Sequence, residues 1–282
     1  MPYQTIVVHA DKSKGSSARI ELAARLAQQE KAHLVGTALT GIPRYMYSGS
    51  PFDMTGIVIG DVAATAERRA NEALAEFERL VARVELKSSE QRLLSDDEYS
   101  GLCLQARYAD LVVLGQADPD GPGPGALLHD LPEYVVLNSG RPVLVVPYIC
   151  QFATSGNRVL VAWNGSVEAA RAVTGAIPLL RRAAKVTIAV FNPQIGSRAH
   201  GEEPGADIAL YLARHGVNVE VTVEQRPATS DVGNALLSLA ANISADLIVM
   251  GAYGHTRLRE MLLGGATRTV LASMTVPVLM AH

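Results

Sequence analysis

Apolar residues along the chain fall into short continuous runs separated by longer stretches with helical spacing. Ile6-Val7-Val8-His9-Ala10 is such a run, and the loop Asp11-Lys12-Ser13 follows it. From 16 to 30 the apolar positions are Ile20, Ala23, Ala24 and Ala27, the period of a helix with one buried face. The same reading predicts strands at 32–39, 89–94, 110–115 and 142–147, and helices at 62–84 and from the cap Asp96-Asp97 to 108. The order then restarts. Strands are predicted at 158–163, 185–191, 217–225, 246–250 and 276–280. Helices are predicted at 167–183, with Pro178 bending it or ending it early, at 205–215, and from the cap Asp231 to 242. Residues 40–60 read as a loop, long for a connection, carrying Tyr45, Met46, Tyr47, Phe52 and Met54. It fits a lid or partner surface, or a segment packed over the first domain, and packing is the commoner use.

The two halves match in residues as well as in element order. Ala109-Asp110-Leu111-Val112-Val113-Leu114-Gly115 parallels Ala245-Asp246-Leu247-Ile248-Val249-Met250-Gly251, and Pro142-Val143-Leu144 parallels Pro277-Val278-Leu279. Asp11 parallels Asn164. The expectation is two tandem domains, 1–150 and 151–282, with 148–157 as the linker. Strands alternating with helices make parallel crossovers, so each domain is α/β and Rossmann-like: a five-stranded parallel sheet of order 3-2-1-4-5 with helices on both faces. Ligands in such sheets sit beyond the carboxyl ends of the strands, where the order reverses. In the second half that crevice lies between Asn164 and the loop after Gly251.

That loop is the most informative stretch. A buried strand ends at Met250, Gly251 and Gly254 follow at once, and Gly264-Gly265 opens a helix through 273. Glycines permit a sharp turn and close approach of a ligand to the main chain. A helix start offers free N–H groups and positive dipole charge, which suits an anion. Turn punctuation alone would also produce glycines here. Arg257, between His255 and Arg259, would offset phosphate charge or face solvent. Thr267 would cap the last helix or touch phosphate, capping being the commoner use.

Composition narrows the field. The 282 residues carry a net charge of −3, 48% hydrophobic residues and a mean hydropathy of +0.15. Such a chain has no electrostatic case for nucleic acid or an anionic membrane. No apolar run reaches about 18 residues and no signal core opens the chain, so a soluble cytoplasmic protein is expected. Two cysteines, Cys103 and Cys150, make no disulfide framework. The histidines show no metal-ligand spacing, so no metal site is expected. P-loop, dinucleotide and hydrolase-elbow signatures are absent, and no acid–base pair flanks the glycine loop. No catalytic residue is therefore assigned; slow turnover is the most that is expected.

The repeated five-strand unit, the Gly-x2-Gly-x9-Gly loop formed by Gly251, Gly254 and Gly264, and the Pro-Val-Leu last strand resemble the universal stress protein family across essentially the whole chain. The resemblance implies an adenine-nucleotide-hydrolase-like fold that pairs through its fifth strands, here within one chain, and further association of two such chains as a homodimer. In some members it implies ATP, with Mg2+ and no covalent cofactor. Carried over by position, Gly251, Gly254 and Gly264 line the triphosphate, Gly265 and Ala266 donate backbone N–H groups, Asn164 meets the ribose or adenine, and Phe191 lies near the adenine. Two positions depart from the family: Gly265 replaces a Ser or Thr, and Asn164 an Asp. A lost neutral hydrogen bond is worth about 0.5–1.5 kcal/mol net. In the first half Asp118 stands at the second glycine, with Asp120 and three prolines beside it. That half is expected to bind no nucleotide and to pair with the second. The function expected is a stress-response or regulatory protein binding ATP in its second domain. The alternatives are a nucleotide-independent scaffold and, more weakly, an enzyme using bound ATP.

Overall fold

The computed structural model describes residues 2–43, 54–117, 131–149, 155–193, 203–227, 230–254 and 265–282. Its strands are β1 (Thr5–His9), β2 (His33–Leu39), β3 (Ser89–Leu94), β4 (Leu111–Gly115), β5 (Val143–Val146), β6 (Arg158–Ala162), β7 (Lys185–Phe191), β8 (Val219–Glu224), β9 (Leu247–Gly251) and β10 (Val278–Ala281). They form one ten-stranded sheet in the order β3-β2-β1-β4-β5-β10-β9-β6-β7-β8. Each half thus has the order 3-2-1-4-5 and parallel pairing throughout. The halves join where β5 meets β10 antiparallel, Val145 opposite Val278 and Leu144 opposite Leu279.

Helices cover both faces. On one lie α1 (Ser16–Glu30), α2 (Met54–Val84), α5 (Val167–Leu180) and α6 (Ala206–Arg214). On the other lie α3 (Glu98–Ala106), α4 (Leu131–Asn138), α7 (Val232–Asn242) and α8 (Ala266–Ser273). The central strands are buried on both sides, which is why they read as unbroken apolar runs. Helix starts fall at short polar side chains: Asp97 Oδ1 accepts from Ser100 N at 2.9 Å, Ser166 Oγ from Ala169 N at 3.1 Å, and Asp231 Oδ1 from Gly233 N at 2.7 Å.

Three expectations about elements shift. The helix expected from 62 begins at Met54, so the 40–60 segment is not all loop. Gly56 and Gly60 each lower helix propensity by about 1 kcal/mol. The 31-residue helix is held further along, where Ala70, Ala73, Leu74, Phe77 and Leu80 are buried against the sheet. Tyr45, Met46, Tyr47 and Phe52 lie outside the described residues. Helix α5 passes through Pro178 but ends at Leu180, three residues short of the expected 183. The third strand of the second half is shorter than 217–225 at both ends.

The seam between the halves is a continuous core rather than a contact of two surfaces. Each face's apolar cluster contains residues of both halves. Tyr3 Oη donates to Gly175 O at 2.6 Å, and Arg182 of the second half pairs with the nearly buried Glu30 of the first. Among the described residues no helix is long and apolar enough to cross a membrane.

Candidate functional site

In the second half the strand order reverses between β6 and β9. Beyond their ends lie Trp163 and Asn164 on one side and the loop from Gly251 on the other, with α8 beginning below. Trp163 N donates to Ala189 O at 2.9 Å, extending the β6–β7 ladder by one step. Asn164 is exposed, and its Oδ1 accepts from Ser166 N at 3.1 Å, so part of its capacity closes the turn into α5. Phe191, at the end of β7, is half-buried on the α7 face beside Ala162.

Gly251 and Gly254 have structural work that their spacing did not disclose. A Cβ on Gly251 would collide with the backbone of Glu168 and Ala169. One on Gly254 would lie 2.9 Å from Glu168 Oε2 and 3.3 Å from Ser166 Oγ. Both residues let the loop lie directly on the first turn of α5. Tyr253, between them, has φ +59° and donates its N–H to Thr267 Oγ1 at 3.4 Å.

Gly265 is the N-cap of α8, in extended conformation and with no side chain to bond the helix start. Arg268 N and Thr269 N turn back to Gly265 O at 3.0 and 3.3 Å. The N–H groups of Ala266 and Thr267 open the helix, where an α-helix has no intrahelical acceptor for them. Thr267 is therefore not the cap. It sits inside the first turn, 3% exposed, with its hydroxyl oxygen fixing the loop through Tyr253. Asn164, Phe191, Gly251, Gly254, Gly265, Ala266 and Thr267 thus stand along the ends of β6, β7 and β9 and the start of α8. Gly264 and Arg257, with His255 and Arg259, lie outside the described residues.

The comparable place in the first half is built differently. His9 pairs in register with Thr37 where Ala162 pairs with Ala189. Glu98 opens α3 where Val232 opens α7. The first half thus has His9, Thr37 and Glu98 where the second has Ala162, Ala189 and Val232. Arg19 is fully buried there. Its guanidinium bonds Asp11 Oδ1 at 2.9 Å, His9 O at 2.8 Å and Ser16 Oγ at 3.3 Å, and it fills the space over Gly115 that a side chain would need. At the equivalent position of α5 stands Ala172, buried and too short to fill that space. Burial would raise the Asp11 carboxyl, but Arg19 and His9 hold it well below the usual range. Burial lowers His9 to about 4, Asp11 opposing, and raises Glu98 to about 7 with help from Asp11 and Asp97.

The small-residue pair Ala162 and Ala189 escaped a motif-based reading. Setting the two repeats residue against residue would have found it, as the place where polar side chains in one copy face alanines in the other. Asp118 and Asp120 lie outside the described residues. Cys103 is buried, and burial pushes its thiol up to about 11, an unreactive state. Among the described residues no group of His, Cys, Asp or Glu could hold a metal ion.

Residues 2–147 and 156–282 each match the model of the universal stress protein family. A universal stress protein of Synechocystis is 25% identical over 172 residues, 60% of this chain and 57% of that protein, so the alignment spans little more than half of the curated relative. Among solved structures, a universal stress protein of Archaeoglobus fulgidus superposes with TM-score 0.70 at 18% identity, covering 98% of this chain and 94% of the other. A putative universal stress protein of Pseudomonas aeruginosa gives 0.58 at 16%, covering 98% and 92%.

Proposed function

The chain belongs to the universal stress protein family, and from that premise we propose that it is a cytoplasmic stress-response or regulatory protein that binds one adenine nucleotide, ATP with Mg2+, in its second half. On this reading residues 1–150 and 151–282 are two units of one fold, of which only the second is a live site. The observation that carries it is the contrast at equivalent positions. The second half leaves small apolar residues, Ala162 and Ala189, beside Phe191 and an uncapped helix start at Gly265. That combination suits a flat apolar ring at one end and an anion at the other. The first half fills the same place with His9, Thr37, Glu98 and the Arg19–Asp11 pair. Gly264 and Arg257 belong to this reading as phosphate contacts, Asn164 as a ribose contact. The reading assigns binding rather than turnover.

One observation favours a nucleotide-independent scaffold instead: Gly251 and Gly254 are already required by packing on α5, and the Glu168 carboxylate beside Gly254 would oppose a phosphate. For the same reason Gly254→Asp tests packing as much as binding. The discriminating pair is Ala162→His with Ala189→Thr, copying the first half. Calorimetric titration with Mg-ATP, checked by Trp163 fluorescence, should show one saturating site in the wild type and none in the double variant, with matching circular dichroism. No heat from the wild type up to millimolar ATP supports the scaffold.

A further inference from the structure

We propose that Gln116, in the first half, is a positioning residue for the nucleotide site of the second half, acting through α8. The inference rests on the reading that the start of α8 receives phosphate. Gln116 directly follows Gly115, at the head of the degenerate glycine loop, yet its side chain is 9% exposed and spans the seam. Its Nε2 donates to Leu271 O at 2.8 Å and to Ala272 O at 3.2 Å, carbonyls of the last turn of α8. Its Oε1 accepts from Tyr148 N at 3.4 Å, and its own N–H donates to Val146 O at 2.8 Å. The first half therefore holds the carboxyl end of an eight-residue helix whose amino end is the uncapped Gly265-Ala266-Thr267 turn.

Two further observations make the hold consequential. A cavity of 210 Å³ adjoins it, between Ala117, Pro132 and Glu133 of the first half and Arg268 and Leu271 of α8. Among the described residues that side of the helix is open, so Gln116 is the first half's polar hold on it, beside the bond from Thr269 Oγ1 to Asp231 Oδ2 that ties it to the start of α7. The hold is also one-sided. By repeat position Gln116 corresponds to Ala252, which has no side chain to reach α4, and α4 ends on bonds of its own half, Asn138 Nδ2 to Tyr134 O and Ser139 N to Val135 O. Among the described residues, the half with the filled site grips the helix of the half with the open one, and no matching side-chain hydrogen bond runs the other way. An eight-residue helix moves nearly as a rod, so a hold on its last turn contributes to the position of its first, together with the bonds of Thr269 to Asp231 and of Tyr253 to Thr267. Coupling between sites is reciprocal in binding free energy, so nucleotide at Gly265 must in turn steady Gln116 and its partner Tyr148.

The test uses the full chain with Mg-ATP. Hydrogen exchange of the wild type, with and without nucleotide, should show slower exchange at the Tyr148 amide as well as along α8. Gln116→Met keeps the side-chain volume and removes the donors. It should weaken ATP roughly three- to tenfold, the scale of one net hydrogen bond, and abolish the nucleotide-dependent change at Tyr148 while leaving that at α8. A merely structural role for Gln116 would lower thermal stability without touching that long-range response. Binding to the wild type with no change at Tyr148, or a Gln116→Met dissociation constant within about twofold of wild type, overturns the inference while leaving the site intact. Absence of ATP binding by the wild type overturns the site reading, and this inference with it.

Discussion

Asp246 sits at the entry to β9, and its carboxylate accepts from the N–H groups of Gly156, Asn157 and Arg158 at 3.1, 3.0 and 2.9 Å. Asp110 does the same before β4, accepting from Gln4 and Thr5 at 2.7 and 3.0 Å. The repeated Ala-Asp pair in the sequence is therefore a clamp on the first strand of each half and not part of a site. Asp246→Ala should cost about 2 kcal/mol, the net scale of charge-assisted bonds at a partly wet position, without altering ligand affinity; a denaturation midpoint equal to wild type would refute the clamp. Glu98 gives a pH-dependent case. Burial, with Asp11 and Asp97 adding and Arg19 opposing, raises it to about 7, above the ordinary carboxylate value of about 4.3. The folded state therefore holds a proton there that the unfolded chain has released. The stability it contributes is full below about pH 4 and lost as pH rises through 7. Glu98→Gln should match wild type near pH 5 and melt higher near pH 8. His9 runs the other way, losing stability as pH falls from about 6.5 towards 4, but it is common to both proteins and cancels in the difference. A difference in Tm that is flat between pH 5 and 8 would sink the assignment of Glu98.

At the scale of elements, α2 shows what the sequence displayed and what it concealed. Its second half was legible because Ala70, Ala73, Leu74, Phe77, Leu80 and Val81 repeat at helical spacing and are all buried. Its beginning was not, because Gly56 and Gly60 look like loop punctuation when tertiary packing downstream cannot be seen. The strands were legible for a simpler reason: burial on both faces forces unbroken apolar runs. Legibility failed again at the candidate site, where the proposed function depends on what is small. Ala162 and Ala189 carry no chemistry of their own, and Gly251 and Gly254 advertise a phosphate loop while also meeting a packing demand of α5. The contact of α2 with β2 tests how tightly helix and sheet are fitted. A Cβ on Gly36 would stand 2.6 Å from the Phe77 ring, so Gly36→Ala overpacks the contact and should cost about 1–3 kcal/mol. Phe77→Leu alone leaves a gap and should cost a similar amount. Together they should cost clearly less than their sum. Additive losses in urea denaturation would show that the two residues do not share one space.

For the whole molecule the decisive feature is the β5–β10 seam. Val143, Leu144, Val145 and Val146 are at most 2% exposed only because β10 completes their hydrogen bonding and both apolar clusters run across the junction. An isolated first half would present β5 as an apolar strand with one edge unpaired, a template for another chain. It would also lose the partners of Tyr3 and Glu30, namely Gly175 O and Arg182, and the helix end that Gln116 holds. Two outcomes are expected together. The full chain should unfold in a single calorimetric transition, since both apolar clusters run through the two halves. Residues 1–150 expressed alone should sediment as a dimer or larger species, its β5 pairing with a second copy in place of β10. Leu144→Lys, which puts a charge into that shared core, should prevent the self-association. A stable monomer of residues 1–150, with native circular dichroism and a sharp transition, would mean that the seam joins two finished domains instead of completing one.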